Sequence, residues 1–108
     1  MNLSTYFMSN DRADSLKTEL LFRIATARAE NADLIRLDIS GSEDDRDQIF
    51  FRVKKILKAE KTAGTVKTYA FPADFEKNTT EADYLLNLYP EIKETVDKPE
   101  FPYIFIKI

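Results

Sequence analysis

An α/β domain in the form of a two-layer sandwich is the fold class the sequence predicts. It has a four-stranded mixed sheet, β-α-β-α-β-(α)-β along the chain, with helices mainly on one face. Three observations lead there. Strand-like segments alternate with segments of helical periodicity through residues 1–108, which read as a single domain. The connections are short, which argues for parallel pairing of the first three strands with right-handed crossovers. Leu34 to Ser40 alternates cleanly, with Ile35, Leu37 and Ile39 on one side and Arg36 and Asp38 on the other. A central strand of a doubly wound sheet would be apolar on both faces.

The elements follow in order. Leu3 to Met8 is rich in aromatic and β-favouring residues and is stopped by Ser9, Asn10 and Asp11, which also make good helix caps. The spacing of Ala13, Leu16, Leu20, Ile24 and Ala27 predicts a helix over about Arg12 to Glu30, closed by Asn31 in a left-handed conformation. After the strand at 34–40, Ser42, Asp44 or Asp45 caps a second helix, and Ser42 and Asp45 have capping-box spacing with Asp in place of Glu. Ile49, Phe50, Val53, Ile56 and Leu57 form an apolar stripe, and Gly64 ends this second helix. Acids in its first turn and lysines in its last suit the helix dipole. Thr65 to Phe71 reads as a strand stopped by Pro72. Thr79 or Thr80 caps a short helix through Tyr89, and residues 91–102, with four acids and two prolines, read as irregular. Tyr103 to Ile108 is a strand whose aggregation-prone composition places it inside the sheet or in an interface.

Composition excludes much. The 108 residues are 44% hydrophobic and 32% charged, enough to bury a core and remain soluble. The chain has no Cys and no His, which removes disulfides, thiolate chemistry, the usual neutral-pH base and the commonest transition-metal ligands. With Gly41 and Gly64 its only glycines, it has neither a Walker A loop nor a dinucleotide fingerprint. No apolar run is long enough to span a membrane, and the first residues lack the pattern of a secretory signal, so the expected compartment is the cytoplasm. No cofactor is expected. Asp, Glu, Ser, Thr and Lys remain for catalysis, but no spacing singles out a pair, and the chain reads as a non-enzyme.

Net charge is -3, which disfavours a duplex-DNA binder, but the charge is unevenly spread. Residues 52–67 carry six cations against Glu60, a local +5. Residues 74–100 carry eight acids against three lysines, a local -5. Self-complementary surfaces on one small domain explain this most simply. Lys54, Lys58 and Lys61 share a helix face that would suit an acidic partner or phosphate, or would simply match the helix dipole.

The sheet face away from the helices is the main candidate site. Strand alternation assigns Arg36, Lys67, Tyr69, Phe71, Tyr103, Phe105 and Lys107 to it. For the first strand two pairs compete, Tyr6 with Met8 or Phe7 with Leu3. Aromatics among basic residues on an open sheet fit a protein-binding or self-associating surface. They also fit weak stacking of single-stranded RNA bases, which an acidic chain disfavours. A third reading has residues 90–102 folding back to cover the face.

The order of elements resembles Smr endonuclease-like domains and the C-terminal domain of translation initiation factor 3. The resemblance is topological, since the histidine–glycine motifs of Smr domains are missing, and it implies no function here. Asp38, Ser40 and Ser42 form a D-x-S-x-S that resembles the metal-ion-dependent adhesion motif of von Willebrand factor A domains. That resemblance implies a weak divalent-cation site on hard oxygen ligands. The later Thr and Asp of the motif have only Thr79, Thr80 and Asp83 as candidates, at a different spacing. The alternative is a strand end, a turn glycine and a helix cap.

Overall fold

The computed structural model describes residues 2–9 and 15–108. Along the chain run β1 (Leu3–Met8), α1 (Leu16–Ala29), β2 (Leu34–Ile39), α2 (Glu43–Ala63), β3 (Thr68–Ala70), α3 (Pro72–Glu76) and α4 (Thr80–Leu88). A 3-10 turn (Pro90–Ile92), α5 (Lys93–Asp97) and β4 (Tyr103–Lys107) complete it. The strands form one mixed sheet in the order β1-β2-β4-β3. This is the expected α/β architecture, and no helix among the described residues is long and apolar enough to cross a membrane.

The helix signals act where the sequence places them. Ser42 Oγ accepts from the Asp45 N–H at 3.3 Å and so caps α2. Gly64 closes the same helix at φ 85°, and Asn31 follows α1 at φ 61°. Thr79 caps α4 by accepting from the Ala82 N–H. The expected start of α1 at residues 12–14, with Asn10 and Asp11 of the preceding turn, lies outside the described residues.

β1 and β2 pair in parallel, but β2 and β3 are not neighbours, because β4 inserts antiparallel between them. The inserted strand suits that place: Tyr103, Ile104, Phe105 and Ile106 are all buried, so both of its faces are apolar. α1 and α2 pack on one face over Ile35, Leu37, Ile39, Ile104 and Ile106, to which Leu20, Ile24, Val53 and Leu57 contribute.

The segment 72–97 makes a second core on the other face. There Phe75, Ala82, Leu85, Tyr89 and Ile92 cover Leu34, Ala70, Tyr103 and Phe105. Residues 90–97 are therefore helical rather than irregular. Pro90 starts the 3-10 turn, where its missing N–H costs no hydrogen bond. Pro72 likewise opens α3, a helix outside the predicted order of elements.

Candidate functional site

The proposed outer face does not assemble. Tyr103 and Phe105 are 3% and 1% exposed, packed tilted and edge-on against Phe75 at ring-centroid distances of 5.9 and 6.1 Å. Tyr69 lies on the opposite face from both. Directly paired residues of neighbouring strands share a face, and Tyr69 pairs with Ile106 whereas Ala70 pairs with Phe105. Tyr69 therefore packs on the α1–α2 side with Phe71, the face opposite to the one the alternation predicts for both. In the first strand, Tyr6 and Met8 take the α1–α2 side, and Leu3 packs against the other core.

The basic residues of that face are also dispersed. Lys107 Nζ donates to the Tyr89 hydroxyl at 2.8 Å, and Lys67 is exposed beyond the end of β3. Arg36 turns inward, its Nε 3.3 Å from Asp38 Oδ1 and its Nη1 donating to Thr95 Oγ1 at 3.4 Å. A stacking platform built from Lys67, Tyr69, Phe105 and Lys107 is thus divided between two faces and a buried core. The charge on β2 marks a covered ion pair, not a solvated face.

The D-x-S-x-S residues each have another task. Asp38 is 4% exposed and paired to Arg36. Ser40 Oγ donates to the Met8 carbonyl at 3.3 Å, and Ser42 caps α2. Burial pushes the Asp38 carboxyl up from its usual value; Arg36 pulls it down and Glu100 adds to the rise. On α2, Lys58 is exposed, whereas Lys54 and Lys61 line a small cleft of about 150 Å³ with Tyr69, Asp74 and Glu81. That cleft brings the cationic helix against the acidic stretch, as self-complementary surfaces would.

A larger cavity lies elsewhere, and of its lining only Lys54, Phe71 and Tyr103 are among the surface or site residues expected from the sequence. It is a groove of about 660 Å³ between the first half of α2, the β3–α3 junction and the loop entering β4. Parallel β1 and β2 both end at this edge, and antiparallel β4 begins there, with Asp38 opposite Tyr103. Ligands of α/β domains bind at the carboxyl ends of parallel strands for this reason, since the connections diverge there. Phe50 and Phe71 meet edge to face at 5.5 Å in its wall. Phe51, 63% exposed, stands at the lip beneath Lys55 Nζ, which is 4.5 Å from its ring centre.

The groove's two walls differ in net charge. Arg46 and Lys54 project from α2, along with Asp47, while Glu76 and Glu100 stand on the opposite elements. Tyr103 lines it with a phenol pushed up to about 12, chiefly by burial and then by Glu76 and Asp97. It stays protonated at neutral pH, able to donate or accept one hydrogen bond. The missed signal was Phe51. It lies off the Ile49–Val53–Leu57 stripe, and a large aromatic on a helix's solvent side marks a surface worth testing.

No family model matches the chain, and neither a curated protein nor a solved structure matches it.

Proposed function

We propose that this chain is a protein-binding module without chemistry of its own, which takes an apolar side chain of an extended partner segment into the groove at the carboxyl edge of the sheet. The observation that carries this is the open aromatic groove of about 660 Å³, in a chain that buries most of its other large apolar side chains. Phe, Tyr and Arg are the residues enriched at protein interfaces. Pro72, Pro99 and Pro102 stiffen the walls, so little ordering entropy is lost on binding. The α2 wall is net positive, with Arg46 and Lys54 against Asp47, and the facing wall carries Glu76 and Glu100, a difference that would orient a segment carrying both signs.

The test is a titration of the ¹⁵N-labelled chain with the doubly capped peptide Arg-Ala-Phe-Ala-Asp, followed by NMR. The amides of Phe51, Phe71 and Phe101 are expected to shift together and to saturate. Phe51→Ser is expected to weaken binding roughly tenfold, the value of a partly buried aromatic contact. Absence of shifts at millimolar peptide, or shifts indifferent to Phe51→Ser, would remove the groove as the binding surface.

A further inference from the structure

The two edges of the sheet are built differently. β3 is three residues long, with Lys67 before it and Pro72 two residues past its end. Short length, lysine and proline are the usual defences of an edge against pairing with another chain. β1 has none of them. Its six residues, LSTYFM, contain no charge, proline or glycine, and it ends the strand order with no described segment paired to its outer side. Its Phe7 is 56% exposed, edge-on to Phe101 at 5.1 Å.

The hydrogen bonding fixes which groups are free. Asp33 and Ser40 donate to the carbonyls of Asn2 and Met8, so the even-numbered residues of β1 turn their backbone groups toward β2. By the alternation of a parallel ladder, the N–H and C=O groups of Leu3, Thr5 and Phe7 point to the open side. An extended strand is the element that satisfies such a row. Only one register pairs all three residues with their own kind about a two-fold axis: Thr5 opposite Thr5, and Leu3 opposite Phe7 on each side. Each such pair exchanges two N–H···O bonds. The side chains agree with that register. Leu3 and Phe7 form aliphatic–aromatic pairs on one face, the threonines meet at the axis, and no like charges oppose one another.

We propose that β1 is a homodimerisation edge, pairing antiparallel with β1 of a second copy about Thr5 to make one continuous eight-stranded sheet. This surface is separate from the groove and does not depend on it.

Sedimentation equilibrium of the full chain over 5–200 µM (about the range that separates weak from tight dimers) tests the proposal. A species of twice the 12.5 kDa chain mass is expected. Thr5→Lys puts two ammonium groups face to face at the axis, on an exposed position the monomer fold does not need. It is expected to raise the dimer dissociation constant at least tenfold, whereas Thr5→Val leaves it within about threefold. Hydrogen exchange in the unaltered chain is a second readout that needs no variant: the amides of Leu3, Thr5 and Phe7 gain protection with concentration and those of α4 do not. A monomer throughout the range overturns the proposal. So does a dimer indifferent to Thr5→Lys, or one whose β1 amides exchange at the same rate at every concentration.

Discussion

Replacing Arg36 with Met should destabilise the fold at pH 7 and cost much less at pH 4. The guanidinium lies 3.3 Å from Asp38 Oδ1, with side-chain exposures of 29% and 6% for the two residues. At that separation and an effective dielectric near 20, the attraction is about 5 kcal/mol. Desolvation of the guanidinium, regained on substitution, offsets roughly half, which leaves about 2–3 kcal/mol. The pH dependence follows from Asp38. Its carboxyl is already raised in the fold by burial, so the folded chain holds that proton more tightly than the unfolded one. Stability from this group is therefore greatest at low pH and is lost as pH rises through the folded pKa. Removing Arg36 deletes the influence that lowers the pKa and leaves burial and Glu100, so the window widens upward. Urea unfolding of both proteins at pH 4, 5, 6 and 7 measures the difference, in which the shared titration of other carboxylates cancels. Asp38→Asn in the Arg36→Met background should restore most of the loss at pH 7. A penalty that is the same at pH 4 and pH 7 would show that Arg36 acts through its alkyl packing and that the ion pair is incidental.

Two further outcomes test other parts of the structure. Tyr103 ionises in the fold only near 12, against its ordinary value of 10.0, so stability should fall as pH rises from about 10 to 12. Tyr103→Phe should flatten that fall, read by urea unfolding followed by far-ultraviolet circular dichroism. Phe105→Ala should cost about 3–5 kcal/mol as a cavity in the second core, whereas Tyr69→Ala, half-buried at the α2 face, should cost clearly less, and calorimetric unfolding ranks them. Equal losses would mean that the sheet's second face is not the packed core described above.

The parts of the fold legible in the sequence are those with local causes. The caps at Ser42 and Thr79, the left-handed stops at Asn31 and Gly64, and the stripe Leu16–Leu20–Ile24–Ala27 all depend on residues within a few positions of each other. The phase of β3 does not. Only Thr68 to Ala70 is strand, so the alternation read across 65–71 includes residues that are not in the sheet. Val66 is buried with the α1–α2 core from a loop, so an alternation that runs through it and assigns Tyr69 and Phe71 to the other face is one residue out of phase. The register against β4, a long-range pairing, decides it instead.

The groove and the charged face of β2 escape the sequence for a common reason: a residue's type does not state its exposure to solvent. Arg36 and Asp38 are charged, yet they lie beneath α5 and the following loop because each neutralises the other. Phe51 is apolar and stays exposed because its neighbours on α2, Ile49 and Val53, already fill the core. Alternation assigns side chains to faces; what covers a face depends on whether another segment carries enough apolar surface to do so. Here residues 72–97 supply Phe75, Leu85, Tyr89 and Ile92 from short helices and the turns between them, of which the sequence signals only the helix through Tyr89, by its cap and its proline stop. Those short helices close the β3–β4 half of the sheet's second face. That moves any binding surface to the sheet's rim, where the connections diverge at the groove and where β1 keeps a free edge.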